Sequence, residues 1–268
     1  MDLGTVEELV TGAAPADWRP GDAWLAGGTW LFSEPQPHLR RLLDLTSLGW
    51  APLRAEPDQL VIAATCTIAE LYGFAADLPH GWTIGPLVRQ CCEAFLASFK
   101  IWNVATVGGN LGNALPAGPM ISLLAALGGQ CELWSPTERI RRLDIVSLIV
   151  DDNQHALAPG ELIRSITLLG PALRSRTAFR RQSLTTLGRS AALLIGRVEP
   201  AGFTLTVTAS TRRPVQLFFP EVPGETELRT AIDVAVPFEL YHTDVHGKPL
   251  WRRHLTYLQA EEIRRELA

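Results

Sequence analysis

Apolar positions along the first part of the chain follow two spacings, one typical of strands and one typical of helices. Alternating or continuous apolar runs predict strands near residues 24–26, 39–45, 60–64, 130–134, 139–143 and 161–169. Helical spacing predicts helices over residues 5–14, capped by Thr5, and over 68–74, 86–99 and 116–127. The segment Thr67-Ile68-Ala69-Glu70 has the form of a capping box that opens a helix.

The pattern changes after Gly170-Pro171, where a basic run follows and a domain boundary is predicted. Beyond it, residues 179–183, 191–198 and 203–209 predict a small antiparallel sheet, and residues 225–236 and 251–267 predict two helices. We therefore expect a domain over residues 1–172, with lobes of about 1–55 and 56–172, and a second domain over 173–268.

Composition narrows the class of protein. The 268 residues are 47% hydrophobic and 19% charged, which suits a globular chain with a substantial core. Residues 1–173 carry a net charge of −8 and residues 174–268 one of +4, without the basic and aromatic interleaving typical of nucleic-acid binding. No apolar stretch approaches the ~20 residues of a membrane span, and no secretory signal is visible, so we expect a cytoplasmic protein that binds neither nucleic acid nor membrane.

Cysteines and histidines give no sign of a resident metal. The four cysteines form no CxxC pair, and the six histidines have no HxxxH or HExxH spacing. Cys91 and Cys92 lie beside Phe95 and Leu96 on an apolar segment, so core packing is favoured over a nucleophilic role.

Two glycine turns are the strongest candidates for chemistry. They are Ala26-Gly27-Gly28-Thr29 and Thr106-Val107-Gly108-Gly109-Asn110, each between a predicted strand or helix and the start of the next element. Such turns let backbone amides approach an anion such as a pyrophosphate, although tight turns that serve only the fold are an equal alternative. No Lys or Arg lies between Arg19 and Arg40 or between Lys100 and Arg139, so amides and the Thr29, Thr106 and Asn110 side chains would have to stabilise the anion.

Other nucleotide and hydrolase motifs are absent from the sequence. It contains no GxxxxGK[ST] loop, no GxGxxG fingerprint and no GxSxG elbow. Phosphoryl transfer from ATP and a classical dinucleotide fold are therefore disfavoured, and hydrolysis has no motif to support it.

At these residues the sequence resembles the FAD-binding subunits of molybdenum hydroxylases, a family that includes the medium subunits of carbon monoxide dehydrogenases and the flavin domain of xanthine dehydrogenases. The similarity covers essentially the whole chain, through the segments AGGTWL, ATCTIAEL, IWNVATVGGNLGNALPAG, APGELIRSITL and YHTDVHGKPLWRRHL. The resemblance implies an α+β fold: a two-lobed FAD-binding domain of the vanillyl-alcohol-oxidase type, followed by a small C-terminal α+β domain of the carbon monoxide dehydrogenase flavoprotein type.

The resemblance also implies which residues contact FAD. The pyrophosphate contacts would come from Ala26, Gly27, Gly28, Thr29 and Trp30 in the first turn and from Thr106, Gly108, Gly109 and Asn110 in the second. Ile163 would pack near the flavin or adenine, Arg180 would present a basic group toward the cofactor, and Leu96 would stand where xanthine dehydrogenases place an aromatic residue against the ring system. No residue of this chain is expected to act as a catalyst, because the flavin carries the chemistry.

The chain departs from the family pattern at three places. Relatives usually have an acidic residue where this chain has Trp30, and an arginine where it has Trp102. The cofactor-bonding acid that follows the family's PAxx segment is replaced around Gly118-Pro119-Met120 by residues without a carboxylate. Weaker retention of FAD, or its loss, is the consequence to test.

The function implied is that of an electron-transferring subunit. A molybdopterin-binding large subunit would hydroxylate the substrate, a small subunit with [2Fe-2S] clusters would relay electrons, and this chain would pass them to NAD, oxygen or another acceptor within a heterotrimer or its dimer. Two alternatives stay open: a self-contained flavoenzyme of the same fold, and a flavin-free scaffold that holds the other two subunits together.

Overall fold

Fourteen strands and nine α-helices build the part of the chain that the structure, a computed structural model, describes, namely residues 3–268. The strands are β1 Glu8–Thr11, β2 Asp22–Leu25, β3 Arg41–Asp44, β4 Leu53–Glu56, β5 Gln59–Ala63, β6 Gln130–Trp134, β7 Ile140–Asp144, β8 Ile149–Asp151, β9 Gln154–His155, β10 Leu162–Leu169, β11 Arg176–Ser183, β12 Ser190–Glu199, β13 Gly202–Thr208 and β14 Val215–Phe219. The helices are α1 Ile68–Phe74, α2 Gly85–Ala94, α3 Phe99–Trp102, α4 Val107–Asn113, α5 Pro119–Ala126, α6 Ile145–Leu148, α7 Gly170–Leu173, α8 Glu225–Ala235 and α9 Pro249–Leu267.

The main strands form three sheets. A small parallel sheet has the order β1-β3-β2, and an antiparallel sheet follows with the order β4-β5-β10-β6-β7. The third sheet, β11-β12-β13-β14, is antiparallel throughout and packs α8 and α9 on one face. Strands and helices are thus mixed without a regular βαβ alternation, which confirms the predicted α+β class.

Helix α5 lies at the centre of the molecule. All eight of its residues are buried, as expected for a helix that is apolar on every side. It packs against α2 and α4 and also against β12 and β13 of the third sheet. Two polar contacts fix this packing: the hydroxyls of Ser122 and Thr208 are 2.6 Å apart, and the Gln216 side-chain amide donates to the Ala125 carbonyl at 2.7 Å. The third sheet is therefore held against the helices that carry the second glycine turn.

Several predicted elements are confirmed, including the capping box at Thr67. Its hydroxyl accepts from the Glu70 amide at 3.1 Å, while the Glu70 carboxylate accepts from the Thr67 amide at 2.8 Å, and α1 follows. The hairpin of β6 and β7, the central strand β10 and the C-terminal helices α8 and α9 also lie where the pattern predicts them.

The predicted helix over residues 5–14 is wrong. The segment forms β1, which pairs in parallel with β3 so that Leu9 stands opposite Leu42 and Val10 opposite Leu43. Its few apolar residues give a short helix no broad face to bury, whereas the strand gains backbone hydrogen bonds to β3. Pairing with a distant strand therefore decides the local structure.

The predicted helices on either side of the second glycine turn are shorter than expected. Helix α2 ends at Ala94, because Phe95 leaves helical geometry with a ψ of 80°, and the Phe95 carbonyl accepts a hydrogen bond from the Trp102 indole at 2.9 Å. Helix α5 begins at Pro119, three residues later than predicted, since residues 115–118 form a turn closed by the Gly118 amide. Both shortened ends leave loop residues beside the glycine turn.

The predicted domain boundary falls inside α7, a single helical turn that connects β10 to β11. The division into domains of 1–172 and 173–268 stays a prediction. Strand β14, the short β4 and the β8-β9 hairpin have no counterpart among the predicted strands.

A buried arginine holds the third sheet to its covering helix. The Arg252 guanidinium on α9 donates to the carbonyls of Ala191 and Ala209, at 2.6 and 2.7 Å, and pairs with the Asp244 carboxylate at 2.5 Å. Its side chain is 1% exposed. Burial alone would lower the pKa of Arg252, and the Asp244 charge opposes this. The Arg252 guanidinium therefore supplies hydrogen bonds to buried backbone oxygens that water cannot reach.

We predict that Arg252→Met lowers the free energy of unfolding by roughly 3 kcal/mol, because it leaves two buried carbonyls without a donor and removes the arginine from its ion pair with the partly buried Asp244 carboxylate. Arg54→Met, which removes an exposed ion pair with Glu56, is the control and should cost under about 1 kcal/mol. Urea denaturation followed by circular dichroism measures both. Equal losses for the two variants would contradict the assigned role of Arg252.

Candidate functional site

The first glycine turn begins where β2 ends and lies directly against the segment that leads into α4. A Cβ atom placed on Gly27 would be 1.7 Å from the Val104 carbonyl oxygen, so any side chain there would force the two segments apart. Gly28 has a φ of +65°, a left-handed conformation that favours glycine, and a Cβ there would also meet the Phe32 ring at 2.3 Å. The first turn therefore needs both glycines for its own geometry.

The second glycine turn is the start of α4. Thr106 caps this helix by accepting a hydrogen bond from the Gly109 amide at 3.0 Å. A Cβ on Gly108 would lie 2.5 Å from the Ala64 side chain, so this glycine faces the protein interior. A Cβ on Gly109 would meet only the Thr106 hydroxyl, at 3.0 Å, so Gly109 presents its open side to solvent.

A cleft of about 1220 Å³ opens between the two turns. This exceeds the roughly 300–1,000 Å³ of ordinary ligand pockets and suits a large cofactor. Segments from across the chain line it: residues 24–31, 33–36, 94–97, 105–106, 108–110, 112–113, 117–119, 161–163 and 187, 189 and 190, with Leu45, Ala64, Ile101, Leu115, Asn153 and Leu157. Side chains of the protein do not fill this space.

The cleft brings together eleven of the twelve residues predicted to contact a cofactor. These are Ala26, Gly27, Gly28, Thr29, Trp30, Leu96, Thr106, Gly108, Gly109, Asn110 and Ile163. Trp30 and Leu96 are 47% and 42% exposed on its wall, whereas Ile163 is 6% exposed and lies beneath it. Segments that are far apart in sequence thus converge as the resemblance implies.

Arg180 is the exception, because the structure does not bring it to the cleft. Its guanidinium donates to the carboxylates of Glu262 and Glu266 on α9, at 2.9 and 2.6 Å. This arginine joins β11 to the C-terminal helix, and the two carboxylates neutralise its charge. The prediction of a basic group at Arg180 facing the cofactor is therefore corrected.

The backbone amides of the two turns differ in what they can bind. Within residues 3–268, the four amides from Gly27 to Trp30 have no protein acceptor. In contrast, the first two amides of α4 donate to the carbonyls of Cys66 and Ala64, at 2.8 and 2.9 Å. The next two bond to the hydroxyl and carbonyl of Thr106, at 3.0 Å each. Within residues 3–268, the first turn thus offers four successive unused amides to an anion, whereas the second turn offers only that of Thr106.

Polar side chains add few further donors. The Asn110 side-chain oxygen accepts from the Met120 amide at 3.1 Å, which leaves its NH₂ group to face a ligand. The Thr106 hydroxyl accepts a hydrogen bond in the helix cap and keeps its own proton. Thr29 lines the cleft, and its hydroxyl has no partner among residues 3–268. Thr29, Thr106 and Asn110, with the indole N–H of Trp30, can therefore still donate to a ligand.

Charged groups at the cleft are few. Among its lining residues the acids are Glu34 and Glu161, and the one cation is Arg189. Arg141 donates two hydrogen bonds to Glu161, at 2.8 and 2.7 Å, and holds the pKa of that carboxyl below its usual range. Glu161 thus stays ionised and is an unsuitable proton donor near neutral pH.

The cysteines lie away from this cleft in the core, as the apolar pattern predicted. Cys66, Cys91, Cys92 and Cys131 are buried thiols. Burial raises the pKa of each of them, to about 12 for Cys92 and Cys131. A thiolate nucleophile at Cys91 or Cys92 therefore has no support.

The family departures have visible structural consequences. Trp102 points inward, stacks edge-on against Tyr72 at 5.3 Å between ring centroids, and donates to Phe95. Gly118 and Pro119 line the cleft without a carboxylate, and Met120 is fully buried. Segment 118–120 therefore presents no carboxylate to the cleft.

Some lining residues could not be foreseen from motifs. Leu187, Arg189 and Ser190 reach the cleft from the hairpin between β11 and β12, and Leu115 and Ala117 reach it from the turn before α5. The only sequence signal for the hairpin was Gly188 between two predicted strands.

Comparison with protein-family models shows to which family the chain belongs. Residues 4–168 match the family model of the FAD-binding domain in molybdopterin dehydrogenase. The chain belongs to this family of molybdopterin dehydrogenase FAD-binding domains. The FAD cofactor and the oxidoreductase class that the resemblance implies are thereby confirmed. No protein of curated function matches the sequence significantly.

Solved structures confirm the fold of this family member along its whole length. Quinoline 2-oxidoreductase from Pseudomonas putida 86 superposes with a TM-score of 0.79 at 18% identity, over 100% of this chain and 98% of the other. Reconstituted CO dehydrogenase from Oligotropha carboxidovorans gives 0.78 at 20% identity over 100% of both chains. CO dehydrogenase from Hydrogenophaga pseudoflava, in a form that lacks the Mo-pyranopterin moiety, gives 0.78 at 15% identity over 98% and 97%.

We predict that Gly109→Val lowers FAD occupancy by about tenfold or more while the chain stays folded, because the new side chain projects into open space in the cleft. Gly73→Val is the matched control, since Gly73 is an exposed helical glycine with nothing within 4 Å of a Cβ and lies outside the cleft. Gly108→Val should instead destabilise the fold through its clash with Ala64. Flavin absorbance per mole of folded protein measures the effect, and equal occupancy in the Gly109 and Gly73 variants would remove Gly109 from the site.

Proposed function

We propose that this chain is the electron-transferring flavoprotein subunit of a molybdenum hydroxylase complex. Its partners would be a molybdopterin-binding large subunit and a small subunit with [2Fe-2S] clusters, assembled as a heterotrimer or its dimer. Electrons would pass from the clusters to FAD on this chain and then to NAD, oxygen or another external acceptor. The four unused amides from Gly27 to Trp30 at the edge of an open cleft are the observation that carries the proposal.

These amides fit the diphosphate of FAD. Several N–H groups on one short turn can surround an anion without a cationic side chain, and the sequence between Arg19 and Arg40 supplies none. The open side of Gly109 gives the cofactor room at the second turn, and the Asn110 NH₂ group supplies a further donor. Bound FAD supplies hydride and single-electron chemistry, while these residues bind it and orient it.

The absence of acid-base chemistry in the cleft favours electron transfer over a self-contained reductase. Its lining contains no His, Cys, Lys or Tyr, and Arg141 keeps Glu161 ionised. Of the two serine hydroxyls of the lining, Ser33 donates to the Trp30 carbonyl, and Ser190 is held by Arg181, from which it accepts a hydrogen bond. A reductase that adds a proton to its own substrate needs a positioned donor. Within residues 3–268, Glu34 is the one carboxyl of the lining without a partner, and the remaining candidates are hydroxyls without a neighbouring base in the lining.

A flavin-free scaffold is the second candidate, because segment 118–120 lacks the acid usual in the family. Retention of the unused first-turn amides argues against it. The close approach of Gly27 to Val104 explains why the turn contains glycines, but it does not explain why four successive amides have no protein acceptor. We therefore favour the flavoprotein.

We also propose a cytoplasmic location, in keeping with four cysteines that are all free thiols. Among residues 3–268, no helix is both long enough and apolar enough to cross a membrane.

Coexpression with the two partner subunits tests the function. The purified complex should contain molybdenum, iron and FAD, and the flavin band should bleach when the clusters are reduced by substrate or dithionite. With the Gly109→Val chain the complex should keep its metals but deliver electrons to the external acceptor at least about tenfold more slowly, and the Gly73→Val complex should behave as wild type.

Two outcomes would contradict the proposal. A colourless chain in a complex that still turns over with its physiological acceptor would establish the scaffold. Flavin on the isolated chain, with NAD(P)H-dependent turnover of a small substrate and no copurifying metal, would establish the self-contained enzyme.

A further inference from the structure

Within residues 3–268, one cationic side chain lines the cleft, and it comes from the third sheet. Arg189 lies at the end of the hairpin loop between β11 and β12 and is the one Lys or Arg among the lining residues. Its guanidinium makes no hydrogen bond and no ion pair within residues 3–268, and its side chain is exposed to the cleft. An arginine without a carboxylate partner beside a cofactor site is available to that cofactor.

The backbone around Arg189 is held firmly on both sides. Arg181 of β11 donates to the Gly188 carbonyl and, at 2.7 Å, to the Ser190 hydroxyl, so it clamps both neighbours of Arg189. Arg252 donates to the Ala191 carbonyl at 2.6 Å. The position of Arg189 at the cleft is therefore fixed by the fold, although its own side chain bonds to nothing.

Arg189 and the first glycine turn lie toward opposite ends of α4. The first turn contacts Val104, just before α4 begins. The base of the Arg189 hairpin is tied to the segment after α4, because Arg252 also bonds the Ala209 carbonyl and the Ala209 amide bonds the Pro116 carbonyl at 3.0 Å. A seven-residue helix is about 10 Å long. The unused amides of the first turn thus lie beside the start of α4, and the Arg189 hairpin is tied to the segment that follows α4.

We propose that Arg189 is an electrostatic positioning residue for the flavin ring, which stabilises the negative charge that the ring gains on reduction. The proposal rests on the proposed function, in which the [2Fe-2S] clusters of a partner supply the electrons. Two electrons and one proton from solvent convert the neutral oxidised flavin to a reduced form with one negative charge. A guanidinium close to that charge favours the reduced form and raises the reduction potential.

The neighbouring carboxylates increase the electrostatic importance of Arg189 for a negatively charged flavin ring. Glu34 and Glu161 are the acids of the cleft, and Arg141 already pairs with Glu161. Without Arg189, a negative ring would face carboxylates and no cationic side chain of the lining. The missing acid at segment 118–120 makes the cleft less negative, which adds to the effect of Arg189 on the reduced state.

The test compares the two-electron reduction potential of FAD bound to the wild-type chain and to Arg189→Gln, by equilibrium titration with redox dyes. The expected result is a potential lower by about 30 mV or more, which corresponds to about tenfold weaker stabilisation of the reduced form. Arg189→Lys should recover most of the shift. Arg139→Gln is the control of equal charge change, since Arg139 lies outside the cleft, and it should leave the potential unchanged.

ADP binding distinguishes a contact with the ring from one with the diphosphate. The dissociation constant of ADP should change by less than about twofold in Arg189→Gln. An unchanged potential, or ADP and FAD affinities that fall equally without a change in potential, would overturn the proposal while leaving the flavoprotein function intact. A wild-type chain that binds no FAD would overturn the proposed function itself.

Discussion

The close approach of two backbone segments underlies everything else in this molecule. At Gly27 the first turn touches the Val104 carbonyl so closely that a single methyl group would not fit. Because strand β2 and helix α4 belong to different parts of the fold, this contact joins the small parallel sheet to the helical core. The cleft opens beside this contact, between the two turns.

The two glycine turns look equivalent in sequence, yet their backbone amides have different partners and therefore different roles. The second turn uses its amides to dock α4 onto Ala64 and Cys66, so its glycines serve packing and open space. The first turn keeps its amides unbonded and can therefore stabilise a diphosphate. A cleft built in this way carries little net charge, and one arginine from another sheet, Arg189, then has a large influence on the electrostatics of the bound cofactor.

Much of this could be predicted from the sequence, since short-range signals decide it. The capping box at Thr67, the hairpin of β6 and β7 and both glycine turns depend on residues close together in the chain. Tertiary contacts decide the rest: β1 is a strand because β3 pairs with it. The sequence does not show which of Arg180 and Arg189 faces the cleft. Only the fold shows that Arg180 pairs with two carboxylates on α9, whereas Arg189 has no carboxylate partner within residues 3–268.

Amide NMR of the ¹⁵N-labelled chain during titration with FAD tests the central claim most directly. The amides from Gly27 to Trp30 should shift strongly and exchange with solvent at least about tenfold more slowly once FAD is bound, because the diphosphate becomes their acceptor. The first amides of α4 already bond within the protein, so their protection should hardly change. New protection confined to α4, with the first turn unaffected, would contradict this account.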